Sequence, residues 1–540
     1  MAITVVAVSG PIGAGKTTLA QGLERRFGAR HLSTRQFLRE RFPQDGEGRR
    51  PLQLLGAALD EETKGRWLAE DVLAALQAHA PASCVVVVDA VRIAPQLEWL
   101  RRRRGLRVLH VHLHAPEDAL ARRYAERRAH APRDTELSTF EEARAHPTER
   151  AVSELAPLAE LVLDTARTPP DAVLVRVASR LGLFGRPDER LVDVLIGGQY
   201  GSEGKGHIAA HLAPDYDVLL RVGGPNAGHR VHDAEGFYTF HQLPSGTRVA
   251  PHASVVLGPG AVLSRERLRQ EMEDCALAPG RLFIDPLAVI IEEADLALEG
   301  ASLKQQIGST AQGVGAATAR KVLRTAAIPA VRLARDIAAL EPFLRPTVDV
   351  LDDAFGRGHR VLLEGTQGTG LSLHHGDYPH VTSRDTTASG CLAEAGIAPG
   401  RVRRTLMVCR TYPIRVQSPE GTSSGPMVEE LTWEEVSRRS GHPLGDLQRS
   451  ERTSTTNRPR RVAEFDWVLL RKAASLNAPT DVALTFVDYL SANNWSARRY
   501  EQLSEEAHRY VEEVERVAGA PVSLLSTGNE ARNIIDRRTW

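Results

Sequence analysis

Twice in this chain an apolar, β-rich run leads at once into a glycine-rich loop that closes on a lysine. Thr4 to Val8 enters GPIGAGKTT, and Val192 to Ile196 enters GGQYGSEGKG. A strand followed by such a turn and a helix holds phosphate, because glycines let consecutive backbone N–H groups face an anion at a helix N-terminus. The feature predicts α/β architecture in two places, each with strands feeding a ligand edge.

The length agrees with more than one core: 540 residues at roughly 100–200 per domain gives about two to four units. Lys+Arg and Asp+Glu are both 68, so no overall field favours nucleic acid or an anionic membrane surface. Cys84, Cys275, Cys391 and Cys409 are far apart, which fits reduced thiols in a cytoplasmic protein better than a disulfide framework or a zinc site. The chain opens without a basic n-region, and no apolar stretch approaches the roughly 20 residues of a membrane helix, so no membrane association is expected. Asn494-Trp495-Ser496 fits the glycosylation pattern by chance in a cytosolic chain.

The first loop satisfies the phosphate-loop pattern through Gly10, Gly13, Gly15, Lys16 and Thr17, with Thr18 following. Lys16 supplies a point charge and Thr17 is placed to hold Mg²⁺. Apolar β-type runs at Val85 to Val88, Val108 to Leu113 and Leu161 to Leu163 alternate with helical patterns, which predicts a parallel sheet covered on both faces. Asp89 ends its strand at the ligand edge, as a Mg²⁺-water ligand or base, or else as a turn aspartate; Arg92 follows closely. Arg122, Arg123, Arg127 and Arg128 recur at helical spacing, as a lid over transferring phosphates or as a solvated basic face. Met1 to about Leu183 resembles the nucleoside and nucleoside-monophosphate kinase branch of P-loop proteins, including dephospho-CoA-kinase-like members. The resemblance implies ATP as donor. It puts Arg35 and Arg39, in STRQFLRERF, at the acceptor phosphate or among surface charges.

Pro169, Pro170 and Pro187 punctuate the next stretch before a strand restarts at Val192. The predicted organisation is a kinase-like domain over 1–183, a linker over 184–190 and a larger α/β domain over 191–540. No internal repeat is visible.

After GGQYGSEGKG come RVGGPNAGHRV (Arg221 to Val231), FHQLPSG, IGSTAQGVG (Ile307 to Gly315), LLEGTQGTGLSLHHGDYPHVTS (Leu362 to Ser383), STTNRPRR (Ser454 to Arg461), LTFVD (Leu484 to Asp488) and LLSTGN (Leu524 to Asn529). In this order, and across the rest of the chain, these segments resemble the motifs of adenylosuccinate synthetases. That family joins L-aspartate to the 6-position of a purine nucleoside monophosphate, using a triphosphate to phosphorylate the 6-oxygen first. The resemblance implies that Gly201, Gly204, Lys205 and Gly206 hold the triphosphate and that Asp488, Ser526 and Gly528 hold its base. It implies that His229 is the general acid, with Gly228 a Mg²⁺ ligand. Asn226, Thr310 and Gln367 match substrate-nucleotide positions, and Arg324 an arginine reaching the other subunit of a homodimer. Thr455, Thr456, Arg458 and Arg460 match the aspartate loop, where paired guanidiniums suit a dicarboxylate.

The pattern breaks at Ser202, where the family has the aspartate that takes the purine N1 proton and binds Mg²⁺; a neutral hydroxyl replaces neither role. Serine leaves space beside the 2-amino group of guanine, and the same exchange marks the phage-type 2-aminoadenylosuccinate synthetases, which take dGMP. Ser372 and His374 stand where acidic residues are usual. Phe486 replaces a lysine that covers the guanine of GTP, so ATP or dATP rivals GTP, although Asp488 is retained. The leading expectation is a ligase acting on (d)GMP, fused to a nucleotide kinase. The rivals are a conventional IMP-using synthetase and a nucleotide sensor without turnover.

Overall fold

A computed structural model describes residues 3–43, 49–78, 85–130, 139–145, 147–186, 188–301, 309–324, 330–417, 423–453 and 457–540. It divides into two compact units, Met1–Phe184 and Gly185–Trp540.

In the first unit, strands Arg30–Ser33, Val85–Asp89, Ile3–Ser9, Leu106–His114 and Leu161–Asp164 lie side by side in that order, all parallel. Every residue of Val85–Asp89 is buried, as a strand covered on both faces requires. The period of two sorts the central strand: Val6 and Val8 join the layer of Leu19, Leu23 and Val177, while Val5 and Ala7 join that of Phe37, Leu68 and Leu97. The helix Lys16–Phe27 ends where Gly28 turns left-handed.

The second unit is built on a nine-stranded sheet. Its order is Leu282–Ile284, Ser254–Leu257, Val218–Arg221, Val361–Glu364, Val192–Gly197, Val402–Arg410, Asp481–Thr485, Val522–Ser526 and Ile534–Asp536, parallel until the last, antiparallel strand. Val192, Val194 and Ile196 face the largest apolar layer and Leu195 the opposite one. A hairpin of His229–Asp233 and Gly236–Phe240 and a small sheet of Ile414–Val416, Arg460–Ala463 and Glu430–Leu431 stand beside it. The expected α/β architecture with parallel sheets is therefore present in both units. Among the described residues no helix is long and apolar enough to cross a membrane.

Candidate functional site

Each unit places its glycine-rich loop at the C-terminal edge of its sheet, opening into a cavity. In the first, the loop joins Ile3–Ser9 to the helix Lys16–Phe27. Gly10 is obligatory: its φ is +141°, and a Cβ there would lie 2.1 Å from the Leu113 carbonyl oxygen. Lys16 donates to the carbonyls of Gly10 (2.6 Å) and Pro11 (2.9 Å). Asp89 lies 3.3 Å from His31. Burial pushes the Asp89 carboxyl up, but His31 and Thr17 outweigh it and hold it below the usual range; His31 is raised in return. The paired oxygens of Thr17 and Asp89 fit a hard cation beside a triphosphate.

The cavity, of about 580 Å³, is lined by Gly13, Gly15, Lys16, Thr17, Thr18, Asp89, Arg92 and Arg127 among others, and extends to Arg35, Gln53 and Trp67. Arg92 is paired with the buried Glu149 at 2.6 Å. Arg122 takes the solvated-face alternative: it is exposed and outside the cavity. Arg123 turns inward instead, donating to Thr165 Oγ1 (2.9 Å) and to the Gly13 carbonyl (3.4 Å). Helix phase explains this, since Arg123 and Arg127 are four apart and share a face that Arg122 does not. Arg39 is also exposed and outside the cavity, whereas Arg35 lines it.

The second loop is braced from within by a residue whose role sequence reasoning missed. Glu203 is fully buried; Oε1 accepts from the amides of Gln199 (3.0 Å) and Gly201 (2.7 Å), and Oε2 from Lys205 Nζ at 2.6 Å. Ser202 lines the cavity next door. Its carbonyl accepts from Arg410 (3.3 Å), and its hydroxyl makes no hydrogen bond among the described residues. Gly206 permits close approach of the hairpin, because a Cβ there would lie 2.8 Å from that of His229.

His229 is buried, with Nδ1 hydrogen-bonded to Glu364, which also accepts from Ser245 N (2.7 Å) and lies 3.9 Å from Arg221. Burial, reinforced by Arg221, lowers His229 to about 4 against the pull of Glu364. The Glu364 carboxyl stays below its usual range because His229, Arg221 and Ser245 together outweigh burial. Burial therefore favours the neutral ring, with Nδ1 toward the carboxylate and Nε2 without a hydrogen-bond partner among the described residues. Glu364 ends the apolar run before GTQG; a carboxylate closing a buried strand was the signal that could have exposed it.

One cavity of about 1660 Å³ gathers Gly201, Ser202, Gly204, Lys205, Gly206, Asn226, Gly228, His229, Thr310, Gln367, Arg460, Asp488, Ser526 and Gly528. Gln367 donates to Asn226 at 3.0 Å, so two distant motifs meet. Arg460 and Arg410 share the buried Glu451, at 3.2 and 2.8 Å. Ser372 donates to Asp385 (2.7 Å), which supplies a carboxylate from the opposite side of that contact. His374 is exposed and outside the cavity lining. Arg324 is likewise exposed and outside, and Arg458 is half-buried but not in the lining. Thr455 and Thr456 lie outside the described residues. Among the described residues no three His, Cys, Asp or Glu side chains cluster as a metal site. The Gly228 carbonyl is a hard oxygen donor beside the loop, suited to Mg²⁺ carried mainly by phosphates.

The model of the adenylosuccinate synthetase family matches residues 194–339 and 330–495, and an AAA-domain model matches residues 6–146. The adenylosuccinate synthetase of Methanocaldococcus jannaschii is 37% identical over 353 residues, covering 64% of this chain and 96% of that protein. That of Pyrococcus horikoshii is 37% identical over 352 residues, covering 64% and 98%. Among solved structures, the cyanophage S-2L succinoaminodeoxyadenylate synthetase, bound to dGMP and to dATP as an energy donor, aligns with a TM-score of 0.55 at 27% identity over 65% of this chain and 96% of its own. The Plasmodium falciparum adenylosuccinate synthetase shares the fold, with a TM-score of 0.57 at 22% identity over 65% of this chain and all of its own.

Proposed function

The chain belongs to the adenylosuccinate synthetase family, and from that premise we propose that its larger unit condenses aspartate with the 6-position of GMP or dGMP, yielding a 2-amino-(deoxy)adenylosuccinate. The observation that carries this reading is Ser202 in the cavity with Gln367, Asn226 and His229. A hydroxyl there offers donor or acceptor to a purine edge and leaves room for a 2-amino group that a carboxylate would crowd.

In this reading a γ-phosphoryl group passes to the purine 6-oxygen as its bond to the donor's bridging oxygen breaks. The amine of aspartate then attacks C6 and phosphate leaves. Lys205 and the loop amides stabilise the charge on the moving phosphoryl group. His229 acts as general acid: an arriving phosphate raises the proton affinity of Nε2, and Glu364 stabilises the imidazolium that forms. Ser202 cannot take the N1 proton, so that proton leaves to water or to a phosphate oxygen. Mg²⁺, where bound, would neutralise phosphate charge beside Gly228. Arg460, with Arg458, Thr455 and Thr456, grips the dicarboxylate. Arg324, exposed on its own chain, reaches the site of a second copy in a homodimer. The smaller unit acts as an ATP-dependent nucleotide kinase, with Lys16, Thr17, Asp89, Arg92 and Arg127 around the transferred group.

A second reading, a conventional synthetase using IMP, is favoured by the 37% identity to the archaeal enzymes. The deciding experiment is aspartate-dependent phosphate release with dGMP, GMP or IMP, with product mass recorded. The proposal expects a succinyl adduct on dGMP or GMP but not IMP, with guanine use falling at least about tenfold in Ser202→Asp. Turnover of IMP alone sinks it, and no turnover with any acceptor favours a sensor.

A further inference from the structure

The cavity of the larger unit ends in a pocket formed by Phe486, Asp488, His442, Trp495, Ser526 and Gly528. Phe486 presents an aromatic ring in contact with the Arg410 guanidinium, 3.9 Å from the ring centroid, which makes a platform on which a flat heterocycle can stack. At its margin the two oxygens of Asp488, itself 2% exposed, differ. Oδ2 makes a charge contact with His442 Nε2 at 3.1 Å, short of good hydrogen-bond alignment, whereas Oδ1 is buried with no polar partner among the described residues. The His442 ring is fixed in place by Tyr489 and Trp495, at centroid distances of 5.5 and 6.0 Å.

In the ligase reading this pocket takes the base of the triphosphate donor, and we propose that His442 sets the choice of base there, favouring adenine over guanine by drawing one oxygen of Asp488 to itself. The proposal rests on the ligase reading of this unit. A carboxylate selects guanine by accepting from the ring N1–H and the 2-amino group at once, and that takes both oxygens. Here one oxygen remains. Adenine offers a single amino group, which one oxygen satisfies. Guanine carries two adjacent donors into a buried site with one acceptor, and an N–H left unmatched there weakens binding about tenfold or more. Phe486 leaves that choice to the Asp488 and His442 pair, since a ring stacks on either purine and adds no polar group for guanine.

The test is kcat/KM for ATP, dATP and GTP in aspartate-dependent phosphate release at a fixed, saturating acceptor. Wild type is expected to favour ATP and dATP over GTP by about tenfold or more. His442→Ala releases Oδ2 and should narrow that ratio about tenfold, chiefly through the KM for GTP. His442→Gln, whose amide can still donate to Asp488, should keep the preference and shows that a folded pocket is being read. Preference for GTP in wild type, or a ratio unchanged by His442→Ala, overturns the proposal. Absence of turnover with every donor would instead overturn the ligase reading. Base choice is then read from saturation-transfer NMR of ATP and GTP on wild type and His442→Ala, where a difference belongs to the cavity that holds His442. A GTP-to-ATP signal ratio raised by the substitution supports the proposal, and identical ratios overturn it.

Discussion

The two phosphate loops satisfy their lysines by different means. Lys16 rests on the backbone carbonyls of Gly10 and Pro11, in a loop at the margin of a cavity. Lys205 is sealed against Glu203, with both side chains at most 1% exposed. Carbonyl dipoles are neutral and yield readily to a phosphate, whereas a buried carboxylate makes the second lysine part of the loop's own architecture. The strand-end carboxylates repeat the contrast. Asp89 faces His31 and Glu364 faces His229, yet His31 is raised and His229 is lowered to about 4. The same pairing gives opposite shifts because burial dominates only in the second.

The largest test of this difference is removal of each lysine. Lys205→Ala strands the Glu203 carboxylate and should destabilise the larger unit by about 3–5 kcal/mol, while Lys16→Ala should change stability by about 1 kcal/mol or less. Calorimetry of the full chain reads both, and equal effects would break the comparison. Glu203→Gln combined with Lys205→Met should recover much of the loss.

Next in size is Glu364→Gln, which keeps the shape around His229 but removes the charge that supports an imidazolium. We expect kcat to fall roughly 10²–10⁴-fold with little change in KM. A KM effect alone would reduce Glu364 to packing.

The histidines sharpen the comparison through pH. His229 and His207 are both lowered to about 4 from the ordinary 6.5, so the unfolded chain binds the extra protons first. Their contribution is complete above pH 6.5 and is lost as pH falls toward 4. His31 runs the other way: its raised affinity contributes below 6.5 and is lost as pH rises through the folded value. NMR titration of the ring protons should place His31 above 6.5 and His229 well below it; the same order reversed would contradict the burial argument.

The smallest effect separates neighbours on one helix. Arg122→Ala should alter stability and first-unit nucleotide binding by no more than about 0.5 kcal/mol, whereas Arg123→Ala loosens Gly13 and Thr165, by about 1 kcal/mol. Equal behaviour would mean that the inward face has been misassigned.

How much of this was legible in the sequence follows from separation along the chain. Both loops, the parallel strands behind them and the motifs that line the larger cavity could be read locally, because glycine turns and apolar runs are local signals. Lys205, His229, Gln367 and Asn226, from motifs far apart in the chain, line one cavity. Glu364 under His229, Asp385 across from Ser372, and Glu451 between Arg410 and Arg460 were not legible, since each contact joins segments whose meeting depends on the completed sheet. The two readings left open for the four arginines could not be separated by spacing: it is the same whichever way the helix faces, and only packing against Gly13 and Thr165 turns Arg123 inward and leaves Arg122 solvated.

The position of Ser202 has a consequence for how such an enzyme changes over generations. Its backbone is fixed by Arg410, and the turn around it is braced by Glu203, so among the described residues its hydroxyl makes no hydrogen bond that holds the loop. A single substitution can then exchange the group that faces the cavity while the scaffold of the loop persists.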